Sequence, residues 1–325
     1  MSVLVTGGLG YIGSHIVRVL QEQGEDVVII DDYSEGVERR VTAAPITRLD
    51  LAARDSFSEI VKVMRTSGVT SVVHLAARKR VDESLTRPLW YYSQNLGSLW
   101  NILAAMIEAG VREIVFSSSA AVYGVTDGRE VTETAAASPV NPYGSSKLAG
   151  EMMLQAAAQA HDLRATSLRY FNVGGAGWPD LGDTATSNLI PMVFERIEAG
   201  LAPLIYGDDY DTADGTCVRD FVHVSDLAEA HVAALRYLHM EPNVESVFNV
   251  GTGIGTSVRG VIAEVAAVRR QPVFPEVRPR RDGDPASVVA AVERIQGLLG
   301  WKAKLGIQEI IGSAWTAREY ARSGS

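Results

Sequence analysis

Residues 3–16 read VLVTGGLGYIGSHI, in which a short apolar strand runs into a glycine-rich turn and then into a helical pattern. Gly7 and Gly10 permit a tight turn and a close backbone approach to a pyrophosphate, and Gly13 permits close packing of the helix on the strand. The helix N-terminus would supply oriented N–H groups to the phosphates. This order of elements predicts a dinucleotide-binding loop, whose contact residues are Gly7, Gly10, Tyr11, Ile12 and Gly13.

Short β-branched runs alternate with helical patterns along the following sequence. The expected strands cover residues 3–6, 27–30, 46–49, 71–75, 113–117 and 165–169. Two apolar helical stripes between them stop at Gly24 and Gly110. The alternation predicts an α/β fold, a Rossmann-type doubly wound parallel sheet with crossover helices on its faces.

The domain organisation follows from length and from a change in this rhythm. The 325 residues exceed the ~250–300 at which a single core stops growing. After Phe171 the strands become shorter and the connections richer in glycine and proline. We expect a dinucleotide-binding Rossmann domain over residues 1–171, to which segments near 220–252 return. A smaller mixed α/β substrate-binding lobe would occupy most of residues 172–325.

Composition excludes several functional classes. A net charge of −9 disfavours nucleic acid or an anionic membrane as a partner, because both need a basic face. Cys217 is the only cysteine, so neither an intramolecular disulfide nor a cysteine metal cluster can form, and no metal site is expected. The chain shows no signal-peptide pattern and no apolar run of the ~20 residues that cross a bilayer. A cytoplasmic protein is therefore expected.

The second strand leads into an acidic residue. Asp31 follows the glycine loop by about the ~20 residues at which a carboxylate meets the adenosine ribose. This carboxylate would accept the ribose hydroxyls and repel the extra phosphate of NADP, and no arginine stands beside it in DDYSEG. NAD is therefore the expected cofactor.

The segment NPYGSSK at 141–147 combines a helix start with a tyrosine and a lysine on one helix face. The ammonium of Lys147 can stabilise the phenolate of Tyr143 and lower its pKa from ~10 toward neutrality, with help from a cationic nicotinamide. Ser119 ends a strand at the carboxyl edge, where open α/β sheets bind ligands. Each feature by itself is more often an exposed helix face or a turn. Their combination after a dinucleotide loop predicts a catalytic site.

Further segments carry a family resemblance: HLAARKRVDES at 74–84, FSSSAAVYG at 116–124, LRYFNVGGA at 168–176, DGTCVRDFVHVSDLA at 214–228 and FNVGTG at 248–253. With the glycine loop and NPYGSSK, they resemble the UDP-galactose 4-epimerases of the extended short-chain dehydrogenase/reductase family. The resemblance extends from residue 3 to residue 301.

The resemblance implies roles for individual residues. Tyr143 would be the base, Lys147 its electrostatic partner and a ligand of the nicotinamide ribose, and Ser119 the partner of the sugar 4-oxygen. The further cofactor contacts would be Asp31, Asp50, Leu51, Ala76, Ala77, Lys79, Asn95, Ser117 and Tyr170. The substrate contacts would be Ser119, Tyr143, Asn172, Asn188, Tyr206, Arg219, Arg281 and Asp284.

Two of these substrate contacts have plain alternatives. Arg219 could form a surface salt bridge with Asp220. Arg281 follows Arg280 and could belong to a solvated run of charge. Both readings remain open at the level of the sequence.

The implied activity is NAD-dependent 4-epimerisation of a UDP-hexose, UDP-galactose to UDP-glucose, through a 4-keto sugar. Val288 would stand at, or one place from, the position that limits room beside the sugar 2-position, so N-acetylated hexosamines could also fit. A homodimer is implied, with helices around 99–109 and 148–160 pairing across a two-fold axis.

Other activities of the same family are alternatives, namely hexuronate epimerase, decarboxylase or 4,6-dehydratase. A dehydratase needs an acid/base pair beside the site, whereas Ser119 is followed by Ala120 and Ala121. A non-catalytic NAD-sensing scaffold is a further alternative, because fold alone does not determine function. Such a scaffold would not need Tyr143, Lys147 and Ser119 together.

Overall fold

The computed structural model describes residues 1–41, 43–126, 128, 130–185, 188–241, 246–281 and 283–323. Its strands are β1 (Ser2–Thr6), β2 (Asp26–Asp31), β3 (Ile46–Arg48), β4 (Ser71–His74), β5 (Glu113–Ser119), β6 (Arg164–Tyr170), β7 (Asn172–Gly174), β8 (Leu204–Tyr206), β9 (Val218–His223), β10 (Val247–Val250), β11 (Gly255–Ser257), β12 (Glu276–Arg278) and β13 (Ser287–Val288).

The helices are α1 (Tyr11–Glu22), α2 (Ser56–Thr66), α3 (Val81–Thr86), α4 (Pro88–Ala109), α5 (Pro142–His161), α6 (Leu189–Glu198), α7 (Val224–Met240), α8 (Val258–Arg269), α9 (Glu293–Leu299) and α10 (Ile307–Ser323). Short 3-10 turns lie at Glu38–Arg40, Ala120–Val122 and Pro179–Leu181. None of the helices described combines the length and apolar character needed to cross a lipid bilayer.

Seven strands form the main sheet, in the order β10-β6-β5-β4-β1-β2-β3, and each neighbouring pair is parallel. The order reverses direction at β1, which is the topology of a doubly wound dinucleotide-binding sheet. The predicted fold class is confirmed. All six predicted strands are also present, and each ends within two residues of its predicted limits.

Apolar side chains cover both faces of this sheet. Val3 and Val5 pack on one face with α1 and α7, whereas Leu4 between them packs on the other face with α2, α4 and α5. Because successive side chains of a strand point to opposite faces, a strand buried on both sides reads as a continuous apolar run. The sequence VLV is such a run.

The remaining strands form two small sheets. β9 pairs with β7, β11 and β13, and β8 pairs with β12. A separate apolar cluster lies beneath them, with contributions from α6, α8 and α10. β10 returns to the main sheet beside β6. The division of the chain into a Rossmann domain over 1–171 and a substrate lobe over 172–325 stays a prediction.

Candidate active site

The glycine loop between β1 and α1 is shaped by two glycines. Gly7 has a φ of +71°, a left-handed conformation that L side chains rarely adopt. A Cβ on Gly13 would lie 2.2 Å from the carbonyl oxygen of Gly7, so only glycine allows α1 to start this close to the loop. The first turn of α1 contains no acidic side chain, and no described side chain caps it. Its N–H groups therefore suit an anionic ligand.

Asp31 lies at the carboxyl end of β2, beside the glycine loop. Its carboxylate accepts hydrogen bonds from the N–H groups of Leu9 (3.0 Å) and Tyr33 (2.9 Å). Burial raises the pKa of Asp31, while these two N–H groups lower it. The carboxylate also lines the groove that runs along the sheet edge, where its remaining lone pairs can accept ribose hydroxyls.

This sheet-edge groove collects most of the predicted cofactor residues. Its lining includes Gly7, Gly10, Tyr11, Ile12, Gly13, Asp31, Asp50, Leu51, Ala76, Ala77, Lys79, Tyr143, Lys147 and Tyr170. Two predicted contacts lie just behind the lining. The amide of Asn95 donates to Ser146 Oγ (2.9 Å) and to the carbonyl of Arg78. Ser117 is fully buried in β5.

Arg78 is among the residues of this groove that the sequence reasoning missed. Its guanidinium hydrogen-bonds Asp32 Oδ2 (2.7 Å) and Ser34 Oγ across the groove and lies over the ring of Trp90. A search restricted to the residues beside Asp31 could not find an arginine that arrives from the end of β4. The basic run RKR at 78–80 was the available signal. Asp32 neutralises this arginine beside the position expected for the ribose.

Helix α5, which carries Tyr143 and Lys147, starts as predicted. The side chain of Asn141 accepts a hydrogen bond from the N–H of Gly144 (2.8 Å), and Pro142 occupies the first turn. The start therefore depends on local capping chemistry. Tyr143 and Lys147 are 8% and 3% exposed, and both line the groove.

Lys147 is oriented by the strand beside it. Its Nζ donates to the carbonyl oxygen of Ser117 at 2.8 Å. Burial lowers the pKa of Lys147 to about 8, against a raising effect of Glu151. The ammonium is therefore the dominant form of Lys147 at neutral pH, and it loses its proton as the pH rises through about 8.

Tyr143 departs from the expected pKa. Burial raises the pKa of this phenol, and a hydrogen bond with Ser119 lowers it only in part. The expected fall toward neutrality is wrong for the protein groups by themselves, because desolvation disfavours the phenolate. A cationic nicotinamide ring in the groove would lower the pKa of Tyr143, whereas the protein groups together raise it.

Ser119 and Tyr170 face each other at the ends of two strands. They are directly paired in the register of β5 and β6. The Oγ of Ser119 also accepts a hydrogen bond from the N–H of Ala121 (3.2 Å), which starts the turn after β5. Burial and the nearby Tyr143 raise the pKa of Tyr170, so it remains a neutral phenol.

The predicted substrate residues outside the groove meet in pairs. Arg219 lies 3.5 Å from Asp284 and also donates to the carbonyl of Pro285. Its alternative partner Asp220 is buried and accepts N–H groups from Thr252, Gly253 and Ala290 instead. The alternative interpretation, in which Arg219 forms a salt bridge with Asp220, is therefore wrong.

Arg281 and Tyr206 form the second pair. The guanidinium of Arg281 lies 3.9 Å from the centre of the Tyr206 ring, while Arg280 binds Asp209 and stacks on Tyr210. Arg281 thus lies over an aromatic ring, but its side chain is exposed, so the alternative of a solvated run of charge stays open.

Two asparagines are less constrained. Asn172 is exposed at the start of β7. Asn188 is exposed before α6, where its amide donates to Asp183 Oδ2 (3.0 Å). The structure does not bring either side chain into the sheet-edge groove, and their contact with a substrate stays a prediction.

The fold and the groove define a class of protein. A doubly wound sheet with a glycine loop, a carboxylate at the end of its second strand and a Tyr–Lys pair at one edge is typical of dinucleotide-dependent enzymes of the short-chain dehydrogenase kind. Residues 3–251 match the NAD dependent epimerase/dehydratase family. The chain belongs to this family.

Known relatives narrow the comparison. The chain is 43% identical over 308 residues to a UDP-glucose 4-epimerase of Azospirillum brasilense, and the match covers 93% of this chain and 87% of that protein. A Stenotrophomonas maltophila UDP-glucose 4-epimerase with bound NAD and formylated UDP-arabinopyranose superposes with a TM-score of 0.94 at 38% identity, covering 99% of each chain. The Campylobacter jejuni UDP-Glc/GlcNAc 4-epimerase reaches a TM-score of 0.86 at 35% identity, over 98% of this chain and 99% of that one.

Proposed function

We propose that the protein catalyses the NAD-dependent 4-epimerisation of a UDP-hexose, interconverting UDP-galactose and UDP-glucose. The observation that carries the proposal is that Tyr143 and Lys147 line the same groove as the glycine loop. Relatives that match over nearly the whole chain are UDP-glucose 4-epimerases. Their likeness favours 4-epimerisation over the other activities of the family.

The residues of the groove fit NAD. Gly7, Gly10 and Gly13 leave the loop before α1 without side chains that would keep a pyrophosphate from the backbone. The Asp31 carboxylate is suited to ribose hydroxyls. NAD, when bound, supplies the hydride chemistry at carbon 4 of the sugar. Lys147 would bind the nicotinamide ribose, and Asp50 and Leu51 would lie by the adenine.

Protein side chains would carry out the proton transfer. Tyr143 accepts the proton of the 4-hydroxyl as general base and later returns it as general acid. Ser119 hydrogen-bonds the 4-oxygen and keeps it beside the phenol. Lys147 stabilises the phenolate through its charge.

Inversion requires that both faces of the 4-keto sugar be presented in turn. The UDP part must therefore be held firmly and the sugar loosely. Arg219 and Arg281 supply forked donors for the diphosphate, and Tyr206 would lie beside the uracil. Asn172, Asn188 and Asp284 are proposed as further polar contacts.

The first test is conversion without added cofactor. Purified protein is incubated with UDP-galactose, and UDP-glucose is quantified. Formation of UDP-glucose would establish the reaction and show that NAD stays bound through purification. No product even after NAD is added would contradict the proposal and favour another nucleotide sugar or a cofactor-sensing role.

A broader substrate range is a second proposal. Val288 in β13 pairs with Arg219 in β9. By the family resemblance, Val288 stands at, or one place from, the position where a bulky aromatic would exclude an N-acetyl group. A Campylobacter jejuni relative is a UDP-Glc/GlcNAc 4-epimerase. We expect Val288→Tyr to lose activity on UDP-N-acetylglucosamine and keep it on UDP-glucose. Equal rates on UDP-N-acetylglucosamine before and after the substitution would contradict this.

We also propose a homodimer in the cytoplasm. Helices α4 and α5 expose an apolar stripe in which Leu89, Trp100 and Met152 are 82%, 60% and 64% exposed. Contiguous exposed apolar surface is typical of an interface, and the lone, buried Cys217 suits a reducing compartment. Sedimentation of the parent and of Trp100→Glu tests the dimer, because a charge within the proposed interface should yield monomers.

A further inference from the structure

A buried carboxylate behind the site joins three elements. Glu151 lies one turn after Lys147 on α5. It accepts a hydrogen bond from Ser118 Oγ on β5, and hydrogen bonds from Arg169 Nε (2.9 Å) and a terminal guanidinium nitrogen (2.6 Å) on β6. The forked Arg169–Glu151 pair is only 7% exposed on each side. One side chain thus connects the catalytic helix to the carboxyl ends of two strands.

Each of these contacts is next to a residue of the candidate site. Ser118 directly precedes Ser119, and Arg169 directly precedes Tyr170. Lys147 is bound to the carbonyl of Ser117 on the same strand. Because catalytic geometry tolerates errors of only about 0.5 Å, the groups that hold these three elements together affect the chemistry.

The charges around Glu151 come from several elements. Lys147 on α5 and Arg169 on β6 are cationic, whereas Tyr123 and Glu133 lie on the loop side, where Arg169 stacks on the Tyr123 ring. On the other side, His74 on β4 interacts with the charge of Lys147, and Tyr143 lies one turn before Lys147 on α5. The pKa of His74 is lowered to about 3, so it is neutral at neutral pH. Among these groups, Glu151 is the one that raises the pKa of Lys147.

We propose that Glu151 is a positioning residue for the epimerase reaction. It holds the ends of β5 and β6 against α5 and keeps the ammonium of Lys147 charged beside Tyr143. Glu151 is not among the residues that line the sheet-edge groove. This inference rests on the proposed 4-epimerase function and adds a residue whose effect acts through Lys147 and Ser119.

The same chain contains a matched control. At the other end of β5, Glu113 is also buried and accepts from Ser71 Oγ (2.8 Å) and from Arg164 on β6. Ser71, Glu113 and Arg164 repeat the three residue types of Ser118, Glu151 and Arg169. They lie at the opposite end of the strands from Ser119. Glu113 also contacts His239, and its partner Arg164 is 36% exposed. Glu113→Gln therefore removes a comparable buried carboxylate without the proposed catalytic consequence.

The experiment compares the pH profiles of kcat for the parent, Glu151→Gln and Glu113→Gln with UDP-galactose. We expect the alkaline limb of Glu151→Gln to move down by about one pH unit, because removing an opposite charge lowers the pKa of a nearby ammonium. KM should change little. Glu113→Gln should keep the parental profile. An unchanged profile in Glu151→Gln, or an equal shift in both variants, would overturn the proposal.

A second variant covers poor folding of Glu151→Gln, which leaves Arg169 as an unpaired buried charge. Glu151→Gln combined with Arg169→Met removes both charges. It should show a smaller shift in the same direction, and a parental profile would overturn the proposal. Failure of the parent protein itself to form UDP-glucose would instead contradict the proposed function.

Discussion

The two edges of the main sheet contain the same ion-pair chemistry in different surroundings. In the register of β5 and β6, Glu113 pairs with Arg164 at the amino edge, and Ser118 pairs with Arg169 at the carboxyl edge. Each arginine binds a glutamate that also accepts a serine hydroxyl. A glutamate–arginine pair therefore occurs at both edges, with the arginine side chain 36% exposed at the amino edge and 7% exposed at the carboxyl edge. Its position along the strands decides what it can influence.

The carboxyl edge differs in what else converges on it. The N-terminus of α1 and its glycine loop meet the end of β1 here, and the first turn of α5 lies beside the end of β5. Helix N-termini carry partial positive charge and favour anions. Parallel strands bring these termini to one edge, which explains why the groove lies there and not at the amino edge.

The largest expected effect at the carboxyl edge is that of Tyr143→Phe. Removing the hydroxyl removes the proposed general base, so we expect kcat to fall by at least about 100-fold with NAD content unchanged. Turnover of UDP-galactose and released NAD measure the two quantities. Tyr91→Phe, which removes another buried hydroxyl, bonded to Glu83, should retain activity. Full activity of Tyr143→Phe would contradict the assignment of Tyr143 as the general base.

Lys147 predicts a pH dependence for the same edge. Its pKa is lowered to about 8, so the ammonium is present below that pH and is lost as the pH rises through it. We expect kcat to decrease above about pH 8, approaching tenfold per pH unit. A profile that stays flat to pH 10 would show that the charge of Lys147 is not required, since the ammonium would by then be largely deprotonated.

At the amino edge, we expect a substitution to change stability and leave turnover unchanged. Glu113→Gln should lower the free energy of unfolding by about 1.5–3 kcal/mol, the range for a hydrogen bond to a charged group. Turnover per folded molecule should remain at the parental value. Urea unfolding and a rate assay on the same sample distinguish the two effects. A large loss of kcat would show that the edges do not differ as proposed.

The smallest effect is expected at the adenosine end of the groove. Asp32→Asn removes the partner that neutralises Arg78, so the guanidinium becomes available to a 2′-phosphate. We expect the ratio of NADP to NAD affinity to rise about fivefold, since a partly exposed charge pair contributes about 1 kcal/mol. Asp82→Asn, which frees Arg80 on the exposed side of the same segment, should leave that ratio unchanged. An unchanged ratio in Asp32→Asn as well would exclude Arg78 from cofactor discrimination.

Much of the fold and part of the candidate site are predictable from the sequence, because they depend on local chemistry. The strand positions follow from apolar runs, the end of α4 from Gly110 and its φ of 77°, and the start of α5 from Asn141 and Pro142. The family membership inferred from motifs is confirmed by the match over residues 3–251. The Tyr–Lys pair is visible because four residues make one helical turn.

Only the tertiary structure determines the contacts between residues that are far apart in the sequence. Arg78 reaches Asp32 across the groove, Arg219 meets Asp284 in place of Asp220, and Glu151 binds both Ser118 and Arg169. Burial likewise raises the pKa of Tyr143, where local reasoning expected a fall. Periodicity and capping act within a few residues and are legible in the sequence. Desolvation and side-chain pairing depend on which elements the crossover connections bring together.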